Sequence, residues 1–349
     1  MAGGRLQVLC DLSPATCHLP PATCNLQLPP LLALVGPTAV GKTAISLQLA
    51  RDFNGEIVSA DSRQIYRGLD IGADKVSPAE RAAVPHHLLD IVAPDQILTL
   101  AEFQRAAYAA IDDIQGRGRL PMLVGGTGLY VRAVLDGLGI PEVPPNEALR
   151  AELEAFAAEF GVEALHARLA VIDPIAAQRI DARNMRRVVR ALEVCLVTGK
   201  PISALQQATP PPYRILRIGL TRSREALYAR IDQRIDAMLQ RGLLEEVRGL
   251  MDAGYTPQLP ALTGLGYRQM IHYLHGELSF EEAVAAIKHQ TRRFVHQQNT
   301  WFREGDERIV WFDLGRAGYE EIAEAVRAWA EQEPSAQTTA EPGSTSRPA

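Results

Sequence analysis

Short apolar runs alternate with longer stretches of helical periodicity along most of the chain. Each run is continuous and apolar, as is typical of a strand that is buried on both faces. The runs lie at residues 31–35, 56–60, 120–124, 214–220 and 308–313. Strands that alternate with helices predict a parallel sheet covered by helices on both faces, so the predicted fold class is α/β.

One region interrupts this alternation and is helical throughout. Residues 141–212 begin in a proline cluster, continue with helical patterns such as 148–160, and end at three consecutive prolines, 210–212. Proline clusters of this kind mark the ends of helical segments. The region therefore predicts an inserted all-helical domain, which divides the core into residues 31–140 and 213–332.

The second part of the core carries three further amphipathic helices. Their apolar positions recur with helical spacing at 223–253, 279–303 and 318–331. Gly254 directly follows the first of them, and glycine favours a stop there because it readily adopts the left-handed conformation that ends helices.

Neither end of the chain shows the periodicity of a helix or a strand. Residues 1–30 are rich in proline, and residues 333–349 are rich in Ser, Thr, Pro and Ala. Cys10, Cys17 and Cys24 lie in the first segment at a spacing that fits neither a zinc site nor a disulfide framework. We expect a disordered leader with reduced thiols and a disordered tail.

Composition and charge limit the classes of function. The 349 residues, 47% apolar and 22% charged, suffice for one large domain with an insertion. A net charge of −5 argues against a generally basic surface for nucleic acid, although arginines cluster at 183–190 and at 292, 293 and 303. No apolar run reaches membrane-span length and no export signal is present, so we expect a cytoplasmic protein without membrane contact. Without coiled-coil or exposed-edge signals, we expect a monomer with no obligate protein partner.

Residues 36–43 read GPTAVGKT and match the phosphate-binding pattern GxxxxGK[ST]. The apolar run 31–35 precedes the motif and helical spacing follows it, which is the strand, loop and helix order that such a loop requires. Glycines allow the backbone N–H groups to surround a polyphosphate, Lys42 adds a positive charge, and the Thr43 hydroxyl suits Mg²⁺. The motif predicts phosphate binding without identifying the phosphate compound.

Two further loops end strands at the same predicted edge of the sheet. Asp61 follows the run 56–60, where its carboxylate can bind magnesium indirectly, cap a helix or accept a proton; capping is somewhat favoured. Glycines and Thr127 follow the run 120–124, where the motif is either a strand-to-helix turn or a third loop of one site.

Six motifs together, in order over about residues 31–315, resemble the tRNA dimethylallyltransferases. They are GPTAVGKT, DSRQIY at 61–66, GGTGLY at 125–130, RNMRRVVRALEV at 183–194, TGLGYRQM at 263–270 and TRRFVHQQNTWFR at 291–303. The resemblance implies a core like that of the phosphate-loop NTPases. It also implies transfer of the dimethylallyl group of dimethylallyl diphosphate to N6 of adenosine 37 in tRNAs that read codons beginning with U, with release of diphosphate.

The resemblance also assigns roles to single residues. Asp61 is implied as the base that takes the proton from N6, while Thr43 and Arg234 act on the diphosphate, with Mg²⁺ at Thr43. The diphosphate-binding residues implied are Gly36, Thr38, Ala39, Val40, Gly41, Lys42 and Thr43. Contacts with the tRNA anticodon stem-loop are implied for Asp61, Ser62, Arg63, Gln64, Ile65, Tyr66, Thr127, Arg150, Arg186, Arg187, Arg190, Arg268 and Arg303.

The last motif departs from the family pattern at one place. His296 and Gln297 stand where a basic pair is common, so one or two phosphate contacts are missing or depend on pH. His296 is interpreted as a surface histidine, and Trp301 as a core residue that packs under the sheet.

Other functions fit parts of the same sequence. A small-molecule kinase would bind ATP in the loop at 36–43, but predicts an arginine-rich lid and no adjacent DSRQIY. An adenylate isopentenyltransferase would prenylate a free nucleotide and would not need the insertion at 141–212. An RNA-binding or regulatory protein with a purely structural loop is disfavoured by the intact Lys42 and Thr43 and by Asp61.

Overall fold

Six parallel strands form the centre of the molecule, which the computed structural model describes over residues 28–331. The strands are β1 (Pro30–Val35), β2 (Gly55–Ala60), β3 (His86–His87), β4 (Leu120–Gly125), β5 (Arg214–Thr221) and β6 (Val310–Asp313). Their order is β3-β2-β4-β1-β5-β6, and every neighbouring pair is parallel. The predicted α/β class is confirmed.

The predicted strands are present with ends shifted by only one or two residues. β3 was not predicted, because two half-buried histidines give no apolar run. The predicted disordered leader and tail lie outside the described residues, apart from residues 28–30, of which Pro30 begins β1.

Helices cover both faces of the sheet and build the insertion. Those of the core before the insertion are α1 (Lys42–Asp52), α2 (Pro78–Ala83), α3 (Leu100–Gly116) and α4 (Gly128–Leu135). The insertion contains α5 (Glu147–Phe160), α6 (Val162–Ile172), α7 (Pro174–Arg179), α8 (Met185–Thr198) and α9 (Ile202–Leu205). The second part of the core contains α10 (Arg224–Gln240), α11 (Leu243–Asp252), α12 (Tyr267–Leu274), α13 (Phe280–Asn299) and α14 (Tyr319–Glu331). Among residues 28–331, no helix combines the length and the apolar character needed to cross a membrane.

The single helix predicted at 223–253 is wrong, since the chain forms α10 and α11 there. Gly242 lies between them with φ of +98°, a left-handed conformation that few residues other than glycine adopt easily. The change of direction brings α11 against α12 and leaves α10 against α13. Glycine inside the helical pattern was the signal for this break.

The core and the insertion each have a hydrophobic cluster of their own. The larger lies on both sides of the sheet and includes Leu32, Leu34 and Val58, all fully buried. The smaller joins the helices of the insertion through side chains that include Leu169 and Leu192. The inserted all-helical unit predicted from the sequence is thus present, with an apolar interior of its own.

The chain enters and leaves the insertion at one place. The Gly139 N–H donates to the Gln207 carbonyl at 3.1 Å, and the Thr209 N–H donates to the Gly137 carbonyl at 2.9 Å. The two connecting segments are therefore paired through their backbones.

Candidate active site

The phosphate-binding loop wraps around the space between β1 and α1. Ala39 and Gly41 have φ of +62° and +120°, so the backbone turns inward before α1 begins at Lys42. A Cβ on Gly36 would lie 2.6 Å from the Leu220 carbonyl oxygen of β5, which leaves space for glycine alone. The loop residues predicted to bind diphosphate thus surround one concave backbone surface at a helix N-terminus, where anions are favoured.

Lys42 reaches across this loop and carries a charge that no nearby carboxylate neutralises. Its Nζ donates to the carbonyls of Gly36 and Pro37 at 2.9 and 2.8 Å. Burial and, after it, the Arg234 guanidinium lower the pKa of Lys42 to about 8, and Asp61 opposes this change. Over residues 28–331, no carboxylate lies within ion-pair distance of Lys42. An anionic ligand would supply the missing negative charge.

Asp61 stands directly after β2 in a turn that fixes its backbone. One carboxylate oxygen, Oδ1, accepts the Arg63 N–H at 2.8 Å. The next residue, Ser62, donates its N–H to Thr127 Oγ1 at 3.1 Å, and Thr127 precedes the first residue of α4. The second and third predicted loops are therefore joined by a hydrogen bond at the carboxyl edge of the sheet.

A cavity of about 300 Å³ joins these groups. Polar side chains from the three loops line it, including Lys42, Asp61 and Thr127. Apolar side chains from α10, α11 and α13 line it as well, namely Ile231, Ile235, Met238, Leu243, Ile287 and Phe294. A cavity with both kinds of lining suits a small amphipathic ligand with an anionic end.

Three arginines join the second part of the core to the phosphate-binding loop. Arg234 on α10 donates to Thr38 Oγ1, and its Nε lies 3.1 Å from Asp74 Oδ2. Arg222 and Arg230 donate to the carbonyls of Val40 and Ala39 at 2.9 and 2.8 Å. The sequence predicted only the first of the three, since an arginine bound to a backbone carbonyl leaves no motif.

Thr43 lies in the first turn of α1, where it is exposed. Magnesium usually takes few protein ligands and completes its shell with water and substrate phosphates. No group of three metal-binding side chains occurs over residues 28–331. A single threonine hydroxyl beside a phosphate-binding loop fits an ion that is shared with an anionic substrate.

Two of the residues predicted to contact tRNA within 61–66 have buried side chains, and their contact with tRNA stays a prediction. Ile65 is 1% exposed and Tyr66 is 6% exposed, because this segment bridges to Val92 and turns both side chains into the core. Gln64 is half-buried and accepts the Ser59 hydroxyl at 2.8 Å. Asp61, Ser62 and Arg63 line the cavity instead.

The arginines predicted to bind tRNA from the insertion divide into two pairs. Arg150 and Arg190 both contact the carboxylate of Glu193, which is fully buried, at 2.9 and 2.5 Å. Both therefore neutralise a carboxylate inside the insertion, and their contact with tRNA stays a prediction. Arg186 and Arg187 are exposed at the start of α8 and have no ion-pair partner over residues 28–331.

A second cleft of about 920 Å³ lies between the core and the insertion. Arg105 and Leu129 line it from the core, while Arg150, Arg186 and Arg190 line it from the insertion. Its width and mixed charge suit a large polar ligand rather than a small molecule.

The remaining predicted residues lie on α12 and α13 and after them. Arg268 is exposed and donates to Gln290 at 2.6 Å, and Arg303 lines a third cleft. His296 is exposed, as predicted, and its Nε2 lies 2.9 Å from the Tyr228 hydroxyl. Trp301 is half-buried, lies against the start of α4 and packs on the larger hydrophobic cluster, in agreement with its prediction as a core residue.

Comparisons with known proteins agree with this geometry. A family model described as IPP transferase matches residues 64–305, and one described as isopentenyl transferase matches residues 29–91. The tRNA dimethylallyltransferase of Roseiflexus sp. (strain RS-1) is 57% identical over 78% of this chain and 90% of its own length. That of Thermomicrobium roseum is 51% identical over 85% and 90%.

Solved structures resemble the chain over most of its length. The full-length tRNA isopentenylpyrophosphate transferase from Bacillus halodurans is 43% identical with a TM-score of 0.65, over 86% of this chain and 97% of its own. A eukaryotic dimethylallyltransferase solved acting on tRNA is 28% identical with a TM-score of 0.73, over 86% and 77%. With a family model covering more than half of its length, and with such relatives, the chain belongs to the IPP transferase family.

Proposed function

We propose that the protein transfers the dimethylallyl group of dimethylallyl diphosphate to N6 of adenosine 37 in tRNAs that read codons beginning with U. The products are N6-isopentenyladenosine and diphosphate. The observation that carries the proposal is the single cavity in which an unneutralised Lys42 and the carboxylate of Asp61 face an apolar wall. The relatives' activity on tRNA supports the choice of acceptor.

The phosphate-binding loop would hold the leaving group. Its backbone N–H groups, Lys42 and Arg234 would stabilise the negative charge that grows on diphosphate as the allylic carbon–oxygen bond breaks. Mg²⁺ held at Thr43 would supply further positive charge to the same oxygens. The apolar side chains of α10 and α13 would cover the dimethylallyl group and exclude water from the reacting carbon.

Asp61 would act on the acceptor. The adenine amine is a weak nucleophile because its lone pair is delocalised into the ring, so removal of its proton assists attack. One carboxylate oxygen would accept that proton as the new nitrogen–carbon bond forms, while the Arg63 N–H keeps the carboxylate in place. General-base assistance of this kind contributes about 10²–10⁴-fold.

The tRNA would approach the cavity from the cleft between core and insertion. Adenosine 37 is stacked in the anticodon loop, so it must be drawn out before its N6 reaches Asp61. Ser62, Arg63 and Thr127 line the cavity where the base would enter, and Arg186 lines the cleft beyond it. The reaction is expected to take place where tRNA is processed, in the cytoplasm.

A labelling experiment tests the proposal. The protein is incubated with Mg²⁺, labelled dimethylallyl diphosphate and an unmodified tRNA that carries A36-A37-A38, and the tRNA is then digested to nucleosides. Label in N6-isopentenyladenosine is expected. A matched tRNA with guanosine at position 37 serves as the control and should remain unlabelled.

Two outcomes would contradict the proposal. Transfer of label to AMP but not to tRNA would indicate an adenylate isopentenyltransferase. ATP-dependent phosphoryl transfer without any prenyl transfer would indicate a small-molecule kinase.

A further inference from the structure

Gln298, in the last turn of α13, joins two loops of the active site. It is 5% exposed, its Oε1 accepts the Thr38 N–H at 2.9 Å, and its Nε2 donates to the Gly126 carbonyl at 2.9 Å. One end of the amide must accept and the other must donate, so the side chain fits in a single orientation. The sequence motifs predicted no role for this residue.

The loop that follows β4 is shaped to receive α13. A Cβ on Gly126 would lie 2.5 Å from Gln298 Nε2, and a Cβ on Gly128 would lie 2.2 Å from the Trp301 ring. Larger side chains at these two positions would displace the end of α13. Gly126 and Gly128 therefore allow a close contact with the end of α13 and the residue Trp301 that follows it.

The same hydrogen bonds connect the donor and acceptor halves of the site. Thr38 belongs to the phosphate-binding loop and accepts a hydrogen bond from Arg234. Gly126 precedes Thr127, whose hydroxyl accepts the Ser62 N–H beside Asp61. Gln298 thus directly links the loop that would hold the diphosphate and the loop that supports the carboxylate.

We propose that Gln298 is a positioning residue that sets the distance between the leaving group and the base. The inference rests on the proposed function and deepens it. Errors of about 1 Å in the placement of reacting groups cost on the order of 10²-fold in rate. An amide that binds both loops can fix the placement of the reacting groups without contacting either substrate.

Substitutions at position 298 distinguish the effect of the amide's hydrogen bonds from the effect of its volume. Gln298→Met keeps nearly the same shape and removes both hydrogen bonds. Gln298→Glu can still accept the Thr38 N–H, but it cannot donate to the Gly126 carbonyl and it adds a negative charge near the diphosphate site. Gln297, the preceding residue on the same helix, is exposed and provides matched controls in Gln297→Met and Gln297→Glu.

Steady-state kinetics well below the melting temperature test the proposal. We expect Gln298→Met to lower kcat by about 10- to 100-fold while the KM for tRNA stays within about twofold, and Gln298→Glu to be at least as impaired. Gln297→Met should match the wild type in kcat, and Gln297→Glu measures the effect of an added negative charge alone. Wild-type kcat in Gln298→Met, or equal losses in the 297 and 298 variants, would overturn the proposal.

Binding of inorganic diphosphate keeps the test independent of the reaction. Loss of the hydrogen bond to Thr38 should weaken this binding by about fivefold in Gln298→Met and leave it unchanged in Gln297→Met. An unchanged Kd in Gln298→Met would overturn the positioning role even if the wild type failed to modify tRNA. Failure of the wild type in the tRNA assay would count against the proposed function instead.

Discussion

Strand β2 carries a carboxylate at each of its ends, and the protein treats the two in opposite ways. Glu56 at the start of the strand is 1% exposed and forms ion pairs with Arg117, Arg119 and His87. Hydrogen bonds from Arg117 and His87 lower its pKa to about 2, although burial acts in the opposite direction. Asp61, just beyond the other end, accepts a backbone N–H and lines an open cavity. Charge that is fully neutralised stabilises the fold, whereas charge left without a partner is available for a ligand.

The insertion repeats this contrast with positive charges. Arg150 and Arg190 neutralise Glu193, while Arg186 and Arg187 on the same surface are free of ion pairs over residues 28–331. Residue type alone does not distinguish the two classes. The presence of a buried partner does.

The largest effect is expected at Asp61. Asp61→Asn keeps an oxygen for the Arg63 N–H but removes the base, so kcat should fall by about 10²–10⁴-fold with thermal stability and tRNA affinity nearly unchanged. Single-turnover prenylation and a melting curve measure the two properties separately. Near-normal turnover would remove Asp61 from the mechanism.

The opposite pattern is expected at the other end of the strand. Glu56→Gln should lower the free energy of unfolding by about 2 kcal/mol and leave kcat unchanged, because it weakens a buried ionic cluster far along β2 from the cavity. In the wild type, the stability due to Glu56 is fully present above pH 4.5 and is lost as the pH falls toward 2. Urea unfolding at several pH values should show this loss in the wild type. In the variant, the free energy of unfolding should change less with pH.

A comparable loss of stability is expected at Arg190. Arg190→Ala leaves buried Glu193 with one arginine fewer and should cost about 2 kcal/mol, measured by urea unfolding or by faster amide exchange in α8. Arg187→Ala, three residues earlier on the same helix, is the control. Equal stability of the two variants would contradict the division into arginines that neutralise Glu193 and arginines without an ion-pair partner.

The smallest effect is expected at the exposed arginines. Arg187→Ala should weaken tRNA binding by about threefold at moderate salt and reduce the slope of log Kd against log salt by about one. Arg183→Ala is a suitable control, since that guanidinium already pairs with Asp181 at 2.8 Å.

Diphosphate binding should depend less on salt than tRNA binding does. Equal slopes of log Kd against log salt for the two ligands would argue against separate sites.

Sequence patterns were sufficient for the sheet and for the loops at its carboxyl edge. Apolar runs such as 31–35 identify buried strands, and GPTAVGKT requires a strand, a loop and a helix in that order, so local information fixed these elements. The two-residue β3 depends on pairing with the distant strand β2, and local periodicity carries little of that information. The break at Gly242 was marked locally by the glycine, but periodicity alone continued across it.

The site was predicted less completely than the fold, for the same physical reason. Ile65 and Tyr66 lie inside a functional motif, yet the bridge to Val92 turns both into the core. Gln298 is 260 residues from Thr38 along the chain, so no local pattern marks their hydrogen bond. Burial and pairing of polar groups are tertiary properties, and they decide which members of a motif can meet a substrate.

The paired backbone segments at the base of the insertion have an evolutionary consequence. Because Gly137 and Gly139 are hydrogen-bonded to Thr209 and Gln207, the chain leaves and re-enters the core within the width of one strand pair. A segment joined in this way can be lost, lengthened or exchanged in evolution while the strands of the sheet stay paired.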